Sequence, residues 1–127
     1  FTLGLDLTAR TLQNQLKAKG LPWEKAKAWD GSAVLGEGEL PMTASTDLQA
    51  LGLELKKNGV TVQKDSTANM LFPVAELIAY VSRFITLEPG DLLFTGTPAG
   101  IGPIVEGDVL EGLLNGKRML NATVGKR

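Results

Sequence analysis

Two Asn-Gly dipeptides, Asn58-Gly59 and Asn115-Gly116, constrain the fold of this chain more than any other feature of its sequence. Each dipeptide is flanked by two short runs in which apolar and polar residues alternate. The runs are residues 51–55, 60–63, 109–114 and 118–124. Asn-Gly readily adopts the positive backbone φ angles of a two-residue turn, and alternation with a period of two is the pattern of a half-buried strand. The sequence therefore predicts two antiparallel hairpins.

The first twenty residues predict a strand followed by a helix. Residues 1–7 alternate as a strand does and begin with neither an initiator Met nor a polar lead-in. Because chains seldom begin inside a buried strand, we expect a truncated product that lacks an N-terminal part. Thr8 is the predicted N-cap of a helix that runs to about Lys19 and stops at Gly20.

The rest of the chain mixes short elements with loops. The composition of residues 24–29 suits a helix and their alternation suits a strand, so both interpretations stay open. Pro73 fits the first position of a helix that ends near Phe84. Three more predictions are a loop with one short strand at 32–46, a short buried strand at 92–95 and a Gly- and Pro-rich loop at 96–103. Together these elements predict a β-rich, mixed α+β fold with at least six strands and two main helices, in one domain over residues 1–127.

The chain of 127 residues contains neither histidine nor cysteine. This excludes a Ser-His-Asp triad, a Cys-His dyad and the usual zinc sites, so any chemistry must rest on carboxylates, amines, amides, hydroxyls or a bound hard cation. The 13 basic and 14 acidic residues are mixed along the sequence, so nothing predicts a nucleic-acid partner. The apolar stretches are far too short to span a bilayer, and the lack of cysteine is typical of a cytoplasmic protein.

Three features could carry chemistry, and each has an ordinary structural interpretation when it is taken alone. Asp6 lies between a strand and a helix, where an acidic residue is more often a second helix cap than a metal ligand. Lys27 by itself is typical of a solvated lysine. The segment at 96–102, Gly-Thr-Pro-Ala-Gly-Ile-Gly, is similar to a glycine-rich anion cradle but matches neither the P-loop nor the dinucleotide-binding pattern.

Taken together, five segments in order resemble the motifs of the fumarylacetoacetate hydrolase family. They are residues 6–13 with 20–27 (Asp-Leu-Thr-Ala-Arg-Thr-Leu-Gln and Gly-Leu-Pro-Trp-Glu-Lys-Ala-Lys), 62–63, 66–72, 86–91 and 95–103. The resemblance covers essentially the whole chain and is strongest to the small bacterial and mitochondrial members that act on acylpyruvates and oxaloacetate. It implies the family's fold, a β-roll or sandwich with two main helices, of which this chain is the C-terminal portion. It also implies a homodimer.

The same resemblance implies a site. Asp6 matches the family's metal-ligating aspartate, which binds Mg²⁺, Mn²⁺ or Ca²⁺, and a carboxylate suits such hard cations. Lys27 matches the active-site lysine, and Gln13 matches the glutamine that faces the substrate. Gly96 and Thr97 match the glycine and threonine that contact the substrate carboxylate.

Arg10 matches a family arginine. We hypothesise that it pairs with Glu111 to brace the strand end that carries Asp6. An exposed arginine on the first helical turn is an equally open alternative. Because Arg10 and Gln13 lie three positions apart on the predicted helix, their side chains should project near each other.

The resemblance also implies parts that this chain does not contain. The family's other two metal ligands form a Glu-x-Glu motif, and a mobile lid supplies a His–Glu pair that activates water; both lie N-terminal to the matching region. Glu37-Gly38-Glu39 has the Glu-x-Glu spacing, but it follows Lys27 and is a weak candidate for a substitute. We therefore expect this chain to be incomplete as a catalyst by itself.

The implied function is divalent-metal-dependent hydrolysis of a C–C bond in a small β-diketo acid, with Lys27 and the cation stabilising an enolate. The alternative is a tautomerase, isomerase or decarboxylase that acts on oxaloacetate or a hydroxymuconate-type keto acid, because these reactions share the enolate. A second alternative is an inactive, truncated paralogue that serves as a scaffold. In the first two cases the partner is a small keto acid.

Overall fold

The computed structural model describes residues 1–126; Arg127, the last residue of the predicted domain, lies outside them. The elements in chain order are β1 (Gly4–Asp6), α1 (Arg10–Ala18), α2 (Glu24–Lys27), β2 (Ala33–Leu35), β3 (Gly52–Lys57), β4 (Val60–Ser66), a 3₁₀ turn (Thr67–Asn69), α3 (Val74–Val81), β5 (Val109–Leu114) and β6 (Lys117–Thr123). This is a mixed α+β fold with two sheets, which confirms the predicted class. Residues 1–126 contain three helices rather than two, because residues 24–27 form a short helix and not a strand.

Both predicted hairpins form the main sheet. β3 and β4 turn at Asn58-Gly59, and β5 and β6 turn at Asn115-Gly116. The two asparagines have φ angles of 51° and 50°, which an L-residue tolerates best when it is Asn or Asp. β3 also pairs with β5, with Leu53 opposite Leu114, so the antiparallel order is β4-β3-β5-β6.

The small sheet of β1 and β2 packs onto the main sheet through Leu3 and Gly36. A Cβ on Gly112 would lie 3.2 Å from Leu3 Cδ1, so the Leu3 side chain rests on β5. A Cβ on Gly36 would collide with the Met119 carbonyl oxygen, and the Glu37 N–H donates to that oxygen at 2.8 Å. Because side chains alternate along a strand, Asp6 projects from the face opposite to Leu3.

The apolar core lies in the β5–β6 hairpin and under α2. The buried apolar side chains are Leu110, Leu114, Met119 and Leu120, with Ala26 fully buried in α2. No helix within residues 1–126 is long and apolar enough to cross a membrane.

Two local predictions are wrong. Residues 92–95 form no strand, and Leu92 is 59% exposed, because nothing in the described chain pairs with this segment. Thr8 does not cap α1: the cap position is Ala9, without a side-chain hydrogen bond. The Thr8 hydroxyl accepts a hydrogen bond from Lys27 instead. The third helix is shorter than predicted, and Pro73 immediately precedes its first residue.

Candidate active site

Asp6 and Lys27 meet at the end of β1. The Lys27 Nζ donates to Asp6 Oδ2 at 2.6 Å and to the Thr8 hydroxyl at 2.8 Å. The two charged side chains are 35% and 52% exposed, so their ion pair contributes only about 0–1 kcal/mol to stability. Two of the three ammonium N–H groups are engaged, and the third has no partner among residues 1–126. The structure therefore brings together two residues that are 21 positions apart and leaves a charged donor available.

Backbone hydrogen bonds bring Asp6 and Lys27 close to each other. The Leu7 N–H donates to the Ser32 carbonyl at 2.7 Å, and the Ala9 N–H donates to the Ala26 carbonyl at 3.0 Å. These bonds hold the turn between β1 and α1 against α2. Since Ala26 is fully buried, the neighbouring Lys27 is held at a defined place at the end of α2.

Gln13 lies beside this turn on α1. It is buried, and its Oε1 accepts a hydrogen bond of 2.5 Å from Arg10 Nη1, as their spacing on the helix predicts. The Gln13 amide nitrogen makes no hydrogen bond within the described part of the chain. Arg10 thus fixes the carbonyl end of the amide and leaves the donor end free.

The hypothesis that Arg10 pairs with Glu111 is wrong. Arg10 is engaged with Gln13, and Glu111 accepts from Arg118 at 3.3 Å across the β5–β6 hairpin. No ion pair between Arg10 and Glu111 occurs in residues 1–126. The helical spacing of Arg10 and Gln13 is a local constraint. Glu111 pairs with Asn121 in the strand register, and its carboxylate reaches Arg118 diagonally, past the irregularity between Gly112 and Leu113.

The glycine-rich loop that contains Gly96 and Thr97 packs against β4. The Gln63 Nε2 donates to the Thr97 hydroxyl at 3.0 Å and to the Pro98 carbonyl at 2.9 Å. A Cβ on Gly100, whose φ is +100°, would collide with the Val62 carbonyl oxygen. Only glycine allows this approach.

The same loop begins next to the strand that carries Asp6. A Cβ on Gly4 would lie 2.7 Å from the ring of Phe94, so the Phe94 ring covers Gly4. Gly4 and Asp6 are two positions apart on β1 and therefore project from the same face. The segment leading to Gly96 thus approaches β1 on the face from which Asp6 projects.

Comparison with known proteins assigns the chain that carries this arrangement to a protein family. The family described as "Fumarylacetoacetate (FAA) hydrolase C-terminal" matches residues 1–124. The chain belongs to the fumarylacetoacetate hydrolase family. This confirms the resemblance that the five sequence segments carry.

Relatives within the family agree in sequence and in fold. The chain is 45% identical to the mitochondrial oxaloacetate tautomerase of Mus musculus over 116 residues, which are 91% of this chain and 52% of that protein. A fumarylacetoacetate hydrolase family protein from Yersinia pestis superimposes with a TM-score of 0.90 at 46% identity, over 97% of this chain and 57% of that one. Fumarylpyruvate hydrolase from Pseudomonas aeruginosa, in complex with Mn²⁺ and pyruvate, has a TM-score of 0.87 at 35% identity over 99% and 54%. The chain spans about half the length of the curated relatives it matches.

Asp6 is a candidate ligand for a divalent cation, and the described residues do not complete a site around it. Its Oδ2 bonds to Lys27, and its Oδ1 has no partner in residues 1–126. No group of three or more His, Cys, Asp or Glu side chains in that range is placed to hold a metal ion. Mg²⁺ prefers six oxygen ligands and dehydrates reluctantly, so a single carboxylate holds it weakly.

Glu37-Gly38-Glu39 does not supply the missing ligands. The segment lines a groove of about 160 Å³ together with Lys117 and Arg118 of β6. Because no cluster of three carboxylates forms within the described residues, the interpretation of this segment as a substitute metal motif is wrong.

Sequence reasoning missed two residues at the candidate site. The Thr8 hydroxyl contacts Lys27, although its position before a helix predicts a capping role. Gln63 holds the glycine-rich loop from a strand 34 positions earlier in the chain. The resemblance places Gln63 in a family segment, but only the packing of the loop on β4 indicates what it does.

Proposed function

We propose that this chain is the C-terminal part of a catalytic domain that interconverts the keto and enol forms of a small keto acid, of the oxaloacetate type, with the help of a divalent cation. The observation that carries the proposal is the Lys27 ammonium, which is held by Asp6 and Thr8 with one N–H left over. The mouse relative named as an oxaloacetate tautomerase supports this reaction over the others. In the proposal Asp6 Oδ1 contributes one ligand, and the remaining ligands come from outside this chain.

The reaction moves one proton and changes no other bond partner. A proton leaves the carbon next to the keto group, and an O–H bond forms on the carbonyl oxygen. The negative charge that develops on this oxygen is stabilised by a fixed cationic donor, which Lys27 provides. A divalent cation held in part by Asp6 would supply Lewis-acid polarisation of the substrate oxygens.

The other residues of the site bind and orient the substrate. The Thr97 hydroxyl and the Gly96 backbone are the proposed contacts for a substrate carboxylate. The Gln13 amide nitrogen, whose orientation Arg10 fixes, is the proposed donor to a second oxygen. Together with Lys27, these groups supply hydrogen-bond donors to the negatively charged oxygens of a keto acid.

The test is a pair of matched lysine variants in the full gene product. Lys27→Met removes the ammonium and keeps most of the side-chain length, so we expect kcat for enol–keto conversion of oxaloacetate with Mg²⁺ to fall about 10²–10³-fold. Lys25→Met removes an exposed lysine from the same helix and should leave kcat unchanged. Ultraviolet absorbance of the enol form measures the rate. A Lys27→Met protein with wild-type kcat would contradict the role of Lys27.

A second experiment separates the enzyme from an inactive scaffold. Mg²⁺ or Mn²⁺ together with oxalate, a dianion that resembles the substrate, should raise the melting temperature of the full gene product. At a ligand concentration of 100 times Kd the stabilisation is about 2.7 kcal/mol. If neither cation raises the melting temperature, with or without oxalate, the scaffold alternative is preferred.

Hydrolysis of an acylpyruvate is the second candidate function, and the likeness to fumarylpyruvate hydrolase favours it. Hydrolysis adds a water across the C–C bond and releases pyruvate and a carboxylic acid, whereas tautomerisation releases nothing. A coupled pyruvate assay with an acylpyruvate substrate therefore separates the two reactions. The homodimer and the cytoplasmic location stay predictions, and light scattering of the full gene product tests the first of them.

A further inference from the structure

We infer that Gln63 is a positioning residue, which holds the glycine-rich loop (residues 96–103) on β4 and makes the Thr97 hydroxyl a hydrogen-bond donor toward an anionic ligand. This rests on the proposed function, in which Thr97 contacts a substrate carboxylate. Gln63 has no place in the reaction itself. Its role is to determine whether the Thr97 hydroxyl donates or accepts a hydrogen bond toward the ligand.

The orientation of the Gln63 amide follows from its partners. Its Nε2 lies 2.9 Å from the Pro98 carbonyl oxygen and 3.4 Å from the Ala99 carbonyl oxygen. Carbonyl oxygens only accept hydrogen bonds, so the nitrogen and not the oxygen of the amide must face them. If the amide were flipped, its oxygen would face the two carbonyl oxygens of Pro98 and Ala99, and no hydrogen bond could form.

That orientation decides the polarity of Thr97. Since Gln63 Nε2 can only donate, the Thr97 oxygen accepts at 3.0 Å. The hydroxyl proton of Thr97 has no acceptor within the described part of the chain, and the side chain is exposed. A hydroxyl whose oxygen is engaged in this way offers its proton outward, and a carboxylate oxygen is the complementary partner.

A β-bulge places Gln63 opposite the loop. Leu55 pairs with Gln63 and Lys56 pairs with Thr61, so Val62 is the extra residue on β4. Bulges bend a strand and change the direction of nearby side chains. The carbonyl of the extra residue, Val62, is the group that Gly100 approaches. The loop therefore contacts two adjacent residues of the same β-bulge, Val62 and Gln63.

The experiment compares two glutamines in the full gene product. Gln63→Met keeps the length of the side chain and removes the amide. Gln49→Met is the matched control, because Gln49 also binds backbone groups, with Nε2 donating to the Thr67 carbonyl at 3.0 Å and Oε1 accepting from the Val74 N–H at 2.8 Å. Both variants should lower the melting temperature, so stability alone does not distinguish them.

Two measurements distinguish the variants. Hydrogen–deuterium exchange of residues 95–103 should accelerate about tenfold in Gln63→Met and stay unchanged in Gln49→Met. The Kd of oxalate in the presence of Mg²⁺, measured by calorimetry, should rise about tenfold in Gln63→Met and in Thr97→Val, but not in Gln49→Met. The double variant Gln63→Met/Thr97→Val should bind oxalate about as weakly as either single variant, because both remove the same donor.

Unchanged exchange of residues 95–103 in Gln63→Met would overturn the inference. So would faster exchange with a wild-type Kd for oxalate, because the amide would then hold the loop without determining the polarity of Thr97. A wild-type protein that binds no oxalate with either Mg²⁺ or Mn²⁺ would contradict the proposed function, and the exchange measurement would still decide whether Gln63 holds the loop.

Discussion

The β5–β6 hairpin and the segment from residue 71 to residue 105 are both rich in apolar side chains, yet they place them differently. In the hairpin, Leu114 and Leu120 are each 2% exposed. In the segment, Leu71 is 93% exposed and Phe84 is 70% exposed. Every residue of α3 is at least partly exposed as well.

The difference teaches how each region is stabilised. A hairpin with period-two alternation turns one apolar face inward and satisfies its backbone through its partner strand, so its stability is internal. The segment contains α3 and the glycine-rich loop, and no strand of the described chain pairs with it. Exposed apolar side chains in this number are typical of a contact surface. We therefore expect them to contribute little to the stability of this chain by itself.

The largest expected effect is in the hairpin. Leu120→Ala removes the most completely buried large side chain and leaves a cavity, so the free energy of unfolding should fall by about 2–5 kcal/mol. Urea denaturation followed by circular dichroism measures it. Val60→Ala, in the same sheet but 66% exposed, is the control and should change stability by no more than about 0.5 kcal/mol. Equal effects of the two substitutions would contradict the claim that burial of apolar side chains in the hairpin stabilises the fold.

A smaller effect is expected where the two regions join, at Asp108. This buried carboxylate accepts from the Val105 N–H at 2.9 Å and from Asn58 Nδ2 at 2.7 Å. The Val105 N–H, then the Asn58 amide, lower the pKa of Asp108 below its ordinary value, although burial acts in the opposite direction. The charged form is thus favoured in the folded state.

A depressed pKa determines the sign of the pH dependence. The stability that the Asp108 carboxylate contributes is fully present above about pH 3.9, the ordinary pKa of aspartate, and is lost as the pH falls through the lower folded pKa. Asp108→Asn should therefore lower the melting temperature at pH 7, and its difference from the wild type should narrow as the pH falls below about 3.9. Glu106→Gln, which alters an exposed carboxyl two positions away, should leave the profile unchanged. A constant difference between Asp108→Asn and wild type at all pH values would argue against this linkage.

The smallest effects are expected in the exposed segment. Leu71→Ser and Phe84→Ser remove apolar groups that the described chain does not bury, so each should change the free energy of unfolding of this chain by no more than about 0.5 kcal/mol. If a further part of the protein covers these side chains, the same substitutions should cost more in the full gene product. Equal small losses in both proteins would show that nothing covers these two side chains.

Predictions succeeded where the constraint is local. The two hairpins follow from Asn58-Gly59 and Asn115-Gly116, since a tight turn determines its own register with the flanking alternation. The contact of Arg10 with Gln13 follows from helical spacing alone. Predictions failed where the outcome depends on how separate elements pack or pair. Residues 92–95 have the composition of a buried strand, but composition does not specify a neighbouring strand.

The sequence by itself determined the family, the antiparallel hairpins and the candidate site residues Asp6, Gln13, Lys27 and Thr97, but not the parts that Thr8 and Gln63 play. Only the tertiary structure decided that Lys27 bonds to both Asp6 and Thr8 and that Gln63 holds the loop of Thr97. The reason is physical. Turn geometry and side-chain periodicity depend on bonds between neighbours, whereas contacts across 21 or 34 positions depend on how whole elements pack.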